Sequence, residues 1–175
     1  MFNEHIMNNK KYFKPVSRSI KINVSPKRVW ELISKPNNLE LCHPFCESNP
    51  VEKWPGNKSI DYVNYYNGLK YQRVFTDWTD GVGYDLLIGR KNGRKSKVMW
   101  RINSPDDSSS ELKITIYPHD INKYPKLVKP LIYMFYIRPM LRKYLTSVLK
   151  GFQVYIMQGK PIQKNQFGTH RWFSN

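Results

Sequence analysis

The sequence predicts an α+β fold: a curved antiparallel sheet of about seven strands wrapped round a long C-terminal helix, with two short helices after the first strand. Three observations carry this reading. Leu141, Tyr144, Leu145, Val148, Leu149, Phe152, Tyr155 and Ile156 recur at helical spacing, so one stripe of a helix is apolar. Short alternating segments separated by Asn-Gly and Asp-Gly pairs precede it, the pattern of an antiparallel meander. A Ser-Pro helix start, Ser25-Pro26, stands between the first such segment and the rest. A long helix with an apolar stripe needs a large partner surface, and a curved sheet supplies one.

Residues 1–16 are polar, basic and without period, and read as a loose N-terminal arm. Ser17–Val24 alternates, with Ile20, Ile22 and Val24 on one face of a half-buried strand. Ser25 is the expected N-cap of a helix whose inner face is Val29, Trp30, Leu32 and Ile33, ending before Pro36. Asn37–Cys42 is a second short helical turn, with Asn37 as its cap. Strands are expected at Glu47–Trp54, Ile60–Tyr66, Lys70–Trp78, Gly83–Arg90, Lys95–Asn103 and Glu111–Tyr117. Pro55-Gly56, Asn67-Gly68, Asp80-Gly81, Asn92-Gly93 and Pro105–Ser109 separate them. The first strand has no neighbour in sequence and is free to pair with the last.

Pro118–Tyr124 then leads into a looser helical piece over Lys126–Ile137. A break is expected near Arg138–Pro139, because proline lacks an N–H and its ring crowds the preceding turn. The firm helix is Pro139–Gln158, with Gly159 as C-cap and Pro161 beyond it. The domain is expected over 17–159, and 160–175 is a tail with no derivable role.

A chain of 175 residues with 40% hydrophobic content fits one domain with a core and a modest cavity. Its longest apolar run, Leu131–Ile137, is far too short to span a bilayer. The opening MFNEHIMNNKKYFKP has no apolar signal region, so a cytoplasmic location is expected, with peripheral attachment to a membrane left open. Two cysteines are too few for a disulfide framework. Charge is the outlier: 29 Lys+Arg against 13 Asp+Glu, a net +16, with no acidic residue after Asp120. Basic surface is expected at Arg90, Lys91, Arg94 and Lys95, and on the outer helix face at Arg142, Lys143 and Lys150. Such a surface either keeps the protein dissolved or attracts anionic partners; an anionic membrane ranks above RNA.

The stretch SRSIKINVSPKRVWELISKPNNLELCHPF, Ser17 to Phe45, combines an alternating strand, an s-P-x-x-V-W-x-x-I-s-x-P helix and a Leu before x-P. It resembles the opening of START-like, helix-grip domains of the SRPBCC superfamily. That group includes polyketide cyclases and dehydrases, steroidogenic lipid-transfer domains, the birch-pollen allergen type and coenzyme Q-binding proteins. GYDLLIGRKNGRKSKVMWRI and the terminal helix stand where those domains place them, so the resemblance covers about 17–159. It implies an apolar or amphipathic small molecule (a lipid, quinone or polyketide-like compound) held between sheet and helix, with no cofactor. Binding or transfer is the preferred function. A cyclase- or dehydratase-like enzyme, and an RNA-, ribosome- or membrane-surface-binding protein, are the alternatives. Oligomeric state is not readable.

The expected cavity wall is Tyr62, Tyr66, Arg73, Phe75, Tyr84, Leu86, Trp100, Tyr144, Val148 and Phe152; for all but Arg73 plain core is the commoner role of such residues, and for Arg73 the alternative is the exposed outer face. Arg73 shares a face with Tyr71 and Phe75. If that face is internal, Arg73 needs an anion, either Asp85 or an acidic ligand group. CHPFC, Cys42 to Cys46, offers two thiols and an imidazole, but zinc needs about four ligands, so no metal is expected and the thiols are read as buried. His43, His119, Asp77, Asp85 and Tyr65 are possible acid–base groups, and no G-x-S-x-G, H-E-x-x-H or P-loop is present. Tyr12, Phe13, Trp172 and Phe173 near the termini either stack on bases or dock against the domain.

Overall fold

The computed structural model describes residues 12–120 and 125–174. Residues 1–11 of the expected arm, 121–124 of the lead-in to the helix, and Asn175 lie outside the described residues. In chain order the elements are β1 (Val16–Ile22), α1 (Pro26–Ile33), α2 (Asn38–Cys42), β2 (Cys46–Ser48), β3 (Val51–Lys53), β4 (Ile60–Tyr65), β5 (Lys70–Thr79), β6 (Gly83–Gly89), β7 (Lys95–Asp106), β8 (Ser109–Tyr117), α3 (Lys129–Ile132), a π-helical turn (Tyr133–Ile137) and α4 (Arg138–Gln158).

The strands form one sheet in the order β1-β8-β7-β6-β5-β4-β2, with β3 also on β4. β1 pairs antiparallel with β8, as the missing sequence neighbour suggested. The sheet has eight strands because Glu47–Trp54 divides at Asn49-Pro50: proline has no N–H to continue a ladder. Ser25 accepts from the Arg28 N–H and caps α1. Asn37 does not cap α2 with its side chain; it takes a left-handed φ of 58° and makes no such bond. Its neighbour does the bonding: Asn38 Nδ2 donates to the carbonyls of Leu32 and Ile33, at 3.1 and 2.8 Å, and ties off the end of α1.

The expected break before Pro139 takes the form of a π-turn. Arg138 N–H donates to the Tyr133 carbonyl, five residues back. The wider turn absorbs the missing Pro139 N–H and relieves its ring against the preceding turn, and helical backbone runs on into α4. Gly159 ends α4 at φ 70°, its N–H on the Tyr155 carbonyl. Among the described residues no helix is long and apolar enough to cross a membrane.

α4 lies in the concave sheet with Leu141, Leu145, Val148, Leu149 and Phe152 buried against it. Gly151 allows the close approach of α4 to α2: a Cβ there would stand 1.9 Å from the Cys42 carbonyl oxygen. Residues beyond α4 fold back over the domain. Ile162 N–H bonds to the Leu41 carbonyl, Asn165 N–H to Pro44, and His170 Nε2 to Met140.

Candidate functional site

The space between sheet and α4 is divided. An aromatic cluster fills one part. Trp30, Trp54, Phe75, Trp78 and Tyr84 pack at ring separations of 5.0–6.4 Å, and Tyr84 reaches Trp100 and, through it, Phe152. A bulge in β5 between Phe75 and Asp77 makes this possible. It adds one residue, so Trp78 turns inward beside Phe75 where strict alternation would send it out. The other part remains open as a cavity of about 320 Å³, with Val63, Leu86, Val98, Ile114, Leu145 and Val148 among its aliphatic walls. Trp100 stands on the border of the two.

A polar chain is set in the buried wall. His43 Nδ1 accepts from the Phe45 N–H at 3.1 Å, so Nε2 carries the proton and donates to the Tyr144 hydroxyl at 2.9 Å. Tyr144 and Tyr65 hydroxyls are 3.2 Å apart. Three protons (one imidazole, two phenols) thus share two hydrogen bonds, and one phenol O–H is left for whatever enters the cavity. Burial, reinforced by the Arg73 charge, holds His43 neutral with its pKa down to about 3. Burial also pushes both phenols up, so they stay protonated donors.

Arg73 belongs to the same wall. Its guanidinium meets Asp61 side by side, Nε to Oδ1 at 2.6 Å and the second nitrogen to Oδ2, and lies 5.3 Å from the Phe75 ring centroid. At the exposed rim the lining changes to Arg90, Gly93, Arg94 and His119 from the β6–β7 turn and the end of β8. The Arg94 guanidinium donates to the Asp120 carbonyl, whereas the Asp120 carboxylate is taken by Lys129. Among the described residues no carboxylate pairs with Arg90 or Arg94. Trp172 and Phe173 complete the wall: Phe173 stacks on Tyr65 at 4.5 Å, and the Trp172 carbonyl accepts from Asn67.

The fold matches many solved structures. A protein from Thermus thermophilus superposes with a TM-score of 0.64 at 17% identity, over 83% of this chain and 99% of that one. A START superfamily protein from Mycobacterium smegmatis gives 0.61 at 11%, over 83% and 99%. The chain has the START-like, helix-grip fold. Norcoclaurine synthase from Thalictrum flavum, in complex with a transition-state analogue, shares the helix-grip fold at a TM-score of 0.60 and 14% identity, over 83% and 95%. No family model matches the sequence, nor does any curated protein.

Within this helix grip, Arg73, Leu86, Trp100, Tyr144 and Val148 of the expected wall line the cavity. Phe75, Tyr84 and Phe152 are buried but lie in the aromatic packing, not on the wall. Tyr62 and Tyr66 do not face the cavity. The turn at Asn67-Gly68 closes a three-residue loop, Tyr66 to Gly68, between Tyr65 and Leu69, with Gly68 at φ 80°. A two-residue loop would set Tyr62 opposite Arg73; the longer one sets Asp61 there and turns Tyr62 out to Glu52. Tyr66 lies under the Lys164 ammonium, 4.9 Å from its ring centroid.

Asp85, the partner expected for Arg73, is on the outer face between Lys97 and Arg101. Asp77 is opposite it in register. His119 shares a bond with Ser96 at the rim, and its pKa is lowered by burial and by Arg94. Cys42 and Cys46 are buried free thiols, the latter pushed up to about 12 chiefly by burial. Among the described residues no three His, Cys, Asp or Glu side chains converge as a metal site. Phe173 docks against the domain, one of the two alternatives for the terminal aromatics, whereas sequence reasoning missed Asp61 and the Tyr65–Tyr144–His43 chain as a unit. Lys91, Lys143 and Lys150 are exposed, Arg142 and Lys95 half-buried.

Proposed function

We propose that the protein binds a hydrophobic or amphipathic small molecule (a lipid, quinone or polyketide-like compound) in the cavity between sheet and α4, as a carrier and not a catalyst. The cavity carries this reading: its volume falls at the small end of ligand sites, and its wall is apolar except for a few placed polar groups. The leftover phenol proton suits an acceptor oxygen on the ligand, and the arginine rim suits an anionic or strongly polar head. Binding or transfer is favoured over cyclase- or dehydratase-like chemistry because the imidazole in the wall has both nitrogens engaged and is held neutral.

The test is native mass spectrometry of protein purified from cells, with organic extraction of anything bound. An added mass that is lost on denaturation, and absent from a Val148→Trp variant that fills the cavity, supports the reading. Apo protein that takes up nothing from a panel of lipids, quinones and fatty acids overturns it.

A further inference from the structure

We propose that the segment from Leu127 to Phe135 is a lipid-contacting knuckle that seats the protein on anionic bilayers beside the cavity mouth. Leu127 is 90% exposed, Phe135 71%, Leu131 54% and Met134 47%. Single exposed apolar residues are ordinary, but a cluster of large ones marks a contact surface. They follow one another along the turn before α3, α3 itself and the π-helical turn, with Arg138 next at the start of α4. Val128 within the segment and Tyr136 just beyond it are exposed, whereas the other large exposed apolar residues among those described, Val82 and Met157, stand apart from it in the chain.

Charge selects the partner. Lys126 and Arg138 are exposed at the two ends of the segment, and the chain has no acidic residue after Asp120, whose carboxylate already holds Lys129. An apolar face bordered by cations is how a helix settles into the headgroup boundary of an anionic membrane. The outer face of α4, which the sequence pointed to, offers mainly attraction: Lys143 and Lys150 stand there with exposed Thr146, and Met157 is the one large apolar side chain exposed on that helix among the described residues.

The knuckle is joined to the cavity. Tyr136 accepts a hydrogen bond from the Trp172 indole N–H at 3.1 Å, and Trp172 lines the cavity. Seating the knuckle brings the mouth to the bilayer, so a poorly soluble ligand could pass between them without crossing water. That purpose rests on the ligand reading; vesicle binding does not, because it is measured without ligand.

The experiment is sedimentation of the full chain with phosphatidylcholine vesicles, with and without phosphatidylserine, for wild type, the double variant Leu131→Ser/Phe135→Ser, and Lys143→Gln/Lys150→Gln. Wild type is expected to bind the phosphatidylserine vesicles. The serine variant is expected to lose about tenfold or more in partitioning, since two large apolar side chains no longer insert. The glutamine variant is expected to lose less. Circular dichroism spectra and melting curves identify any variant that has not folded; both serines replace exposed side chains.

The proposal is overturned by no binding by wild type; by serine and wild-type proteins binding alike; by deletion of residues 1–11 raising wild-type binding, which would make that arm the occupant; and by a wild-type dimer that the serine variant dissolves, which would make it a second copy. Attachment to RNA in place of vesicles, insensitive to the serines, also overturns it.

Discussion

Asp61 and Arg73 stand directly opposite each other on β4 and β5, both inside the fold, where the guanidinium meets the carboxylate side by side. Asn49 Nδ2 adds a third bond, at 3.2 Å to the same carboxylate. This pair supplies the anion that a buried arginine in the cavity wall requires.

Removing one partner strands the other charge. Asp61→Asn is expected to cost about 3–5 kcal/mol, and the double variant Asp61→Leu/Arg73→Met markedly less, because it buries no unpaired charge. Urea denaturation of the three proteins decides this; an Asp61→Asn midpoint equal to wild type would refute it.

His43 predicts an acid-sensitive stability. The unfolded chain takes up this proton near pH 6.5 and the folded chain only near 3. Stability is therefore full above the unfolded value and falls as pH drops towards 3, by about 1.4 kcal/mol per pH unit from this residue. His119 and His170, both lowered by burial, act in the same direction. His43→Asn should flatten part of the decline between pH 6 and pH 4 in urea midpoints; an unchanged slope would exclude His43 as its source.

Gly151 should resist the substitution that helices normally welcome. Replacing an interior helical glycine by alanine ordinarily gains about 1 kcal/mol. Here the new methyl meets a backbone carbonyl of α2, so Gly151→Ala should lose about 1–3 kcal/mol, the usual penalty of overpacking. Thermal melting gives the sign directly.

The two phenols should differ. Tyr144→Phe leaves the His43 Nε2 proton without an acceptor in a buried wall and should cost about 1–3 kcal/mol. Tyr65→Phe removes one bond but keeps His43 satisfied and leaves Tyr144 as the free donor, so it should cost less. Equal losses in urea denaturation would mean that His43 is oriented by something else.

The sheet, its meander order and the long helix were legible because each rests on local chemistry: alternation, Asn-Gly turns, the Ser-Pro start and the apolar stripe of α4. The pairing of β1 with β8 followed from elimination. The cavity wall was less legible, since it depends on parity. One extra residue in the Tyr66–Gly68 loop reverses the face of every residue on β4, and one at the β5 bulge does the same for Trp78. Counting back from Gly68 in its three-residue loop would have put Asp61 opposite Arg73. For Phe173 docking was one of two readings, but nothing local in the tail says that it returns to Tyr65. The exposure of Leu131 and Phe135 was hidden for the opposite reason: an apolar run looks like core until its neighbours are placed.

The β1–β8 pairing bears on the order of assembly. Ser17 and Thr115 hydroxyls meet at 2.8 Å although they are 98 positions apart in the chain. Neighbouring strands from β4 to β8 can zip through short turns, whereas β1 has no partner until β8 exists, and its closure carries the largest loop entropy in the sheet. The amides of Val16–Ile22 should therefore be the last of the sheet to gain protection during refolding. Until they do, α4 has a sheet to lie in that still lacks an edge.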